Sequence, residues 1–347
     1  MLSVKTITNQ PNSYHGWPTL AQRENGELLV VCSGGREAHV CPFGRVELIR
    51  SVDGGETWSW PEVLMDSVID DRDAGVLVTP RGAILVTTFT SLAYEPLLEK
   101  TGDWTAEKRE RWQSVNRRAT AAQRKAMLGT WLLRSADGGM TWSAPGRVPV
   151  NSPHGPIGGL AGRLLYPGKQ LWEPGNKNGV AESSDDGKTW RWLSAIPTRP
   201  GDDAVDYHEL HGVTAADGRV IVQIRNHNQA NERETLQCES SDGGKSWTMP
   251  HSIGVWGLPS HLLRLRDGRL VMSYGYRRKP FGNQARVSSD HGRTWSEPMT
   301  ISADGASGDL GYPSTVETAN GQLLTMWYEK PRDSTLALLR LARWTLS

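Results

Sequence analysis

The chain has 347 residues, with 39 Lys and Arg against 38 Asp and Glu and a formal net charge of +1, so neither a nucleic acid nor an anionic membrane held by bulk charge is expected as a partner. Cys32, Cys41 and Cys238 are too few for a disulfide framework, and no apolar run is long enough to cross a bilayer. The first residues carry no apolar secretory core, so the expected location is cytoplasmic.

The composition is uneven in one respect: 15 Trp stand beside 3 Phe, with 37 Gly, which points to a repeated motif. The motif is S-x-D-x-G-x-[TS]-W, and copies occupy 51–58, 135–142, 183–190, 240–247 and 288–295. Their aspartates, at 53, 137, 185, 242 and 290, are separated by 84, 48, 57 and 48 residues, close to one four-stranded propeller blade per copy. Each copy follows a strand-like run such as VELIR or TWLLR. Asp and Gly are turn formers, so these aspartates are read as structural, with the Trp packing between neighbouring sheets.

These are Asp boxes, and five of them at blade spacing resemble the sialidase superfamily. That resemblance covers nearly the whole chain and implies an all-β fold, a six-bladed β-propeller, as a single domain over 1–347. Blade one is expected to use strands at 18–22, 27–32 and 46–50, then its box and an outer strand. The same order recurs at 74–88, 158–171, 210–225, 262–276 and 313–329. The last unit has no box. Its third strand is placed at 336–344, and its fourth is supplied by 3–8, which closes the ring and removes the sheet edges.

The long interval between the first two boxes holds an insertion at 91–128, between the second and third strands of blade two. Trp112, Val115, Ala119, Ala122 and Ala126 recur at helical spacing, so a helical insertion, a solvated hairpin packed on the rim, is expected. It is also a candidate lid, and a candidate contact between copies in a homo-oligomer.

Strand order sorts the loops. Boxes join third to fourth strands on one face, so the second-to-third loops and the connections between blades lie on the other. The residues with chemistry fall there: His15 and Trp17; Arg36, Glu37 and His39; Asp70 to Asp73, including Arg72; Trp172; His208 and Glu209; Arg225; Arg277 and Arg278; and Tyr312.

Three segments resemble catalytic segments of sialidases. The first runs from Glu209 to Arg225, a spacing of 16 residues around an Asp-Gly turn, and implies a catalytic Glu and a carboxylate-binding Arg. The second carries Gly311-Tyr312-Pro313-Ser314 and implies that Tyr312 is the nucleophile. The third places Arg277 or Arg278 as a further arginine of the cluster. The chemistry is coherent, because a phenol is a weak nucleophile until a carboxylate takes its proton, and a neutral nucleophile suits an anionic sugar. Arginine forks bind a carboxylate in two places.

Two family features are absent. The Arg-Ile-Pro stretch that supplies a first arginine is replaced by Tyr14-His15-Gly16-Trp17-Pro18, and the first-blade loop lacks the acidic Asp. His39 is the first replacement expected for the acid, then Asp71, Glu37 or Asp73. Arg36 and Arg72 are expected to bind substrate with Arg225 and Arg277, flanked by His15, Trp17, His208 and Trp172. The expected activity is a sialidase-like glycoside hydrolase acting on an acidic or unusual sugar. A polysaccharide lyase and a non-catalytic carbohydrate-binding propeller are the alternatives. No H-x-x-x-H pair, phosphate loop or dinucleotide fingerprint occurs, so no metal and no cofactor are expected.

Overall fold

The computed structural model describes residues 3–8, 10, 12–100, 102–229 and 234–346. Among them, six four-stranded antiparallel sheets are arranged as a propeller. Strand β1 (Ser3–Thr6) precedes blade one, which is β2 (Tyr14–Gln22), β3 (Leu28–Arg36), β4 (Arg45–Ser51) and β5 (Glu62–Met65). Blade two is β6 (Asp70–Val78), β7 (Ile84–Ser91), β8 (Thr130–Ser135) and β9 (Gly146–Arg147). Blade three is β10 (Ile157–Gly158), β11 (Leu164–Lys169), β12 (Asn178–Ser183) and β13 (Arg191–Ala195). Blade four is β14 (Tyr207–Thr214), β15 (Val220–Asn226), β16 (Glu234–Ser240) and β17 (His251–Trp256). Blade five is β18 (Ser260–Arg264), β19 (Leu270–Tyr276), β20 (Gly282–Ser288) and β21 (Met299–Ser302). Blade six is β22 (Leu310–Glu317), β23 (Leu323–Glu329) and β24 (Leu338–Trp344), and β1 completes it. Ser3 pairs with Arg343 and Thr6 with Arg340, so the first strand closes the ring.

The five boxes make one turn five times. In each, the Ser hydroxyl donates to Asp Oδ1 at 2.7–2.8 Å and accepts from the amide of the second Gly or its equivalent. The same carboxylate accepts from the amide and hydroxyl of the Thr or Ser before the Trp. Gly55 has φ +87°, and a Cβ there would lie 3.1 Å from Leu341, so the turn needs glycine on both counts. Hydrogen bonds from the hydroxyl and amide of Thr141 hold the Asp137 carboxyl well below the usual carboxylate range.

The box tryptophans explain the skewed composition. Trp58 packs on the apolar layer between blades six and one, and Trp142 on that between blades one and two. Trp190, Trp247 and Trp295 occupy the next three seams in turn. The fifth-to-sixth seam is filled by Trp327 and Trp344, which come from the boxless blade.

Helices α1 (Glu95–Glu99), α2 (Ala106–Asn116) and α3 (Ala121–Ala126) lie between β7 and β8. The expected single stripe is broken after Val115. Thr120 caps a new helix through a reciprocal bond with Gln123, so Trp112 and Val115 are buried while α3 buries nothing. Trp112 packs with Phe43, Tyr94 and Trp104, a core separate from the blade seams. No helix among the described residues is long and apolar enough to cross a membrane.

Removing residues 3–6 should expose the outer edge of β24. The melting temperature is expected to fall by several degrees and light scattering to show association through the new edge. A monomeric variant with an unchanged melting temperature would show that closure contributes nothing.

Candidate active site

The residues that sequence places in connections between blades lie instead inside the innermost strands. Four of those strands carry the same irregularity. Between Gly16 and Thr19, Arg72 and Gly75, His208 and His211, and Gly311 and Ser314, three steps of the inner strand span two of its partner. Each is a one-residue bulge, which locally re-aims a side chain. The first bulged residue is left-handed in all four: Trp17 at φ +53°, Asp73 at +23°, Glu209 at +46° and Tyr312 at +53°. Such backbone in a non-glycine residue costs about 1–3 kcal/mol and persists only where its surroundings impose it. Gly75 shows how tightly they do: a Cβ there would stand 2.4 Å from the Gly155 nitrogen of blade three.

At the hub, Tyr312 Oη donates to Glu209 Oε1 at 2.5 Å. Arg225 Nη1 donates to Glu209 Oε2 at 2.6 Å and to Tyr312 Oη at 3.3 Å. Burial pushes the Glu209 carboxyl up, but Arg225 and the Tyr312 hydroxyl outweigh it, and the group lies below the usual carboxylate range. Burial, reinforced by Glu209 and Asp73, holds the Tyr312 phenol well above its ordinary value. The resting proton therefore sits on the phenol, aimed at a carboxylate ready to take it. Arg277 stands 5.7 Å from the Tyr312 ring, donates through Nε to Leu310 O, and leaves Nη2 buried without a partner. Tyr312, Glu209, Arg225 and Arg277 thus converge.

Trp17, 1% exposed, is the floor of the neighbouring wall. The guanidinium carbons of Arg36 and Arg72 lie 4.9 and 4.4 Å from its ring, and His39 meets it edge-on at 4.9 Å. His39 Nδ1 lies 2.9 Å from Tyr14 Oη and 3.1 Å from Asp309, and Tyr328 also donates to Asp309. Asp309, Tyr14 and Tyr328 are not expected as site residues from the sequence; Asp309, immediately before β22 and three residues before Tyr312, is the one whose position signals it.

Several expected site residues are turned to other uses. Arg36 is wholly buried; its fork grips Asp70 at 2.6 and 2.9 Å, and its remaining donors go to Ser33 and to the carbonyls of Ala38, His39 and Asp71, so none is left for a ligand. Asp71 is buried beside the same structural network and accepts from the Ser67 amide at 2.7 Å; burial pushes its carboxyl up to about 7. His15 points the opposite way from Trp17, to Gln10 and Glu47. Glu37 is held by Arg111 and by Trp112 of α2, which ties the first-blade loop to the helices. Trp172 is 44% exposed and lines a separate depression with Gly129, Arg147 and Trp190. Arg72 remains at the wall through His39 O and Asp70. His208 supports the hub at one remove: it packs 4.9 Å from His227, whose Nε2 accepts from Arg225 Nε at 2.7 Å.

Deeper along the axis, His154 of the connection before β10, His211 of β14 and His261 of β18 meet with ring centres 4.6–5.3 Å apart. They head a channel of about 640 Å³ lined by inner-strand residues of all six blades. Leu262 N–H donates to His211 Nδ1, which places the imidazole hydrogen on Nε2 and leaves that nitrogen no lone pair for a cation. Among the described residues no group of three or more His, Cys, Asp or Glu is arranged to hold a metal ion.

A six-bladed ring with box turns on one face and a Tyr–Glu–Arg cluster at the hub of the other defines the class, a sialidase-like repeat propeller. The chain belongs to the family described as a BNR repeat-like domain, whose model matches residues 104–325. It is 23% identical over 285 residues to a sialidase of Clostridium perfringens, covering 78% of this chain and 58% of that protein. It is 22% identical over 329 residues to a sialidase of Paraclostridium sordellii, covering 90% and 65%. The chain therefore spans less than two thirds of the length of these relatives. A Dyadobacter fermentans protein of unknown function superposes with a TM-score of 0.82 at 21% identity, covering 100% of this chain and 99% of that one. Trypanosoma rangeli sialidase in complex with sialic acid superposes with a TM-score of 0.67 at 16% identity, covering 99% and 58%.

Because Arg36 and Asp70 are both fully buried, Asp70→Asn strands a guanidinium. Urea unfolding should show a loss of about 3–5 kcal/mol. An unchanged midpoint would mean that the pair carries no such burden.

Proposed function

We propose that the chain is a retaining glycoside hydrolase that uses Tyr312 as nucleophile and Glu209 as its base. The observation that carries this is the 2.5 Å bond from Tyr312 Oη to Glu209, with Arg225 donating to both. In the first step Tyr312 Oη bonds to the anomeric carbon, its proton passes to Glu209, and the aglycone oxygen leaves with a proton from a general acid. Water then attacks the same carbon and gives a proton to the general acid's conjugate base, the bond from that carbon to Tyr312 Oη breaks, and Glu209 returns its proton to the phenolate oxygen. Arg225 steadies the Glu209 charge and, with Arg277, presents cation to an acidic substituent of the sugar.

The substrate class follows from what the wall lacks. The sialidase resemblance calls for an arginine in the stretch that here reads Tyr14-His15-Gly16-Trp17-Pro18, and Arg36 is spent on Asp70. One lost charge-assisted hydrogen bond is worth about 1.5–3 kcal/mol. The preferred glycoside is therefore a different acidic or unusual sugar, and N-acetylneuraminides should be turned over at least about tenfold less efficiently than the best substrate.

A screen of aryl glycosides that includes sialic acid, its deaminated analogue and uronates tests this. Tyr312→Phe and Glu209→Gln should each lower kcat/KM by about 10²–10⁴-fold on the best substrate. Formation of an unsaturated, ultraviolet-absorbing product would replace hydrolysis with elimination. Efficient turnover of N-acetylneuraminides would overturn the specificity.

A further inference from the structure

The reaction needs a proton for the departing aglycone oxygen, and the loop in which the sialidase resemblance expects an acid has none. We propose that Asp73, delivered by the inner strand of blade two, is that general acid. The inference rests on the glycosidase reading above and specifies its missing partner.

Asp73 occupies the bulged, left-handed seat that in blades four and six presents Glu209 and Tyr312. The same backbone device therefore delivers base, nucleophile and this carboxyl to one hub. Asp73 is buried, and its Oδ1 has no hydrogen-bond partner. A buried orphan carboxyl oxygen on a strained seat is costly unless a ligand uses it. The rival groups are placed differently. Glu37 is held by Arg111 and Trp112; Asp71, whose Oδ1 is likewise unpartnered, lies on a regular stretch of β6 with its other oxygen on the Ser67 amide; and His39 Nδ1 lies against Tyr14 and Asp309.

The electrostatics agree. Burial pushes the Asp73 carboxyl up to about 7, with Arg72 pulling it down and Glu209 pushing it up again. At neutral pH a large share of it is protonated, whereas Glu209 is ionised. In the first step the Asp73 proton passes to the aglycone oxygen as the glycosidic bond breaks. In the second the Asp73 carboxylate takes a proton from the attacking water, which restores the acid.

The test compares two glycosides of the same sugar, one with a nitrophenol and one with a simple alcohol as leaving group. Asp73→Asn replaces a largely neutral carboxyl with a neutral amide of the same shape, so a native melting temperature at pH 6 is expected. Its rate on the alkyl glycoside should fall by about 10²–10⁴-fold, while that on the nitrophenyl glycoside, whose leaving group needs little protonation, falls by less than about tenfold. The alkaline limb of the wild-type kcat/KM profile, near pH 7, should vanish in the variant. Equal losses on both substrates, or an unchanged alkaline limb, would overturn the assignment while leaving Tyr312 and Glu209 in place. Failure of the wild-type protein to hydrolyse any glycoside would overturn the parent reading and this one together. A variant unfolded at pH 6 would be replaced by Asp73→Ala, assayed on the nitrophenyl substrate with added azide. Faster turnover with azide supports the assignment, and none opposes it.

Discussion

Everything at the hub depends on one backbone constraint, the extra residue in the inner strand of four blades. A regular strand sends alternate side chains to opposite faces of its sheet, and on the inner strand those faces look sideways into the neighbouring seams. A left-handed residue at a bulge turns its side chain out of that alternation. Trp17, Asp73, Glu209 and Tyr312 are all presented in this way. The conformation is unfavourable in isolation, so rigid seams must hold it. Cys32, Met326 and Tyr328, all fully buried, pack in the same apolar cluster as Trp17 and Tyr312 and supply that rigidity there.

The electrostatics of the hub follow from the same convergence. Two carboxyls, Asp73 and Glu209, share a buried space with Arg72, Arg225 and Arg277, and their environments push them apart: Asp73 upward and Glu209 downward. On the proposed reading these divergent carboxyls are an acid and a base kept ready together. Arg36 and Asp70, by contrast, grip each other within a closed network that also takes in Ser33, backbone carbonyls and Arg72, and serve as a fixed strut beneath Trp17.

Much of the architecture is legible in the sequence because each box announces itself with Ser, Asp, Gly, a Thr or Ser, and Trp at fixed offsets, and their spacing counts blades. Glu209, Arg225 and Tyr312 are legible because their segments resemble those of sialidases. The parity of residues 70–73 is not. Four consecutive polar residues give no sign of where the extra residue sits; Asp71 and Asp73, two apart, would share one face of a regular strand, and only the bulge at Asp73 separates them. Nor does sequence show that Arg36 pairs with Asp70, 34 residues away, or that Glu37 is held from α2, 74 and 75 residues on. Such long-range pairings decide which polar residues remain available to a ligand. The helical stripe misled for a local reason, since the capping signal of Thr120 and Gln123 outweighs continued apolar spacing.

Closure by β1 also sets an order of assembly. The apolar seams between consecutive blades join segments near one another in the chain and can form progressively. The pairing of Val4 with Ala342 and the seam that Ile7 and Leu20 share with Leu341 join opposite ends of it. Contacts of such sequence separation carry the largest loop-closure cost and form slowly. Until they form, the hub lacks the wall between blades six and one, and Tyr312 and Trp17, which belong to those two blades, have no fixed relation. Competence at the hub is therefore the last property the folding chain acquires.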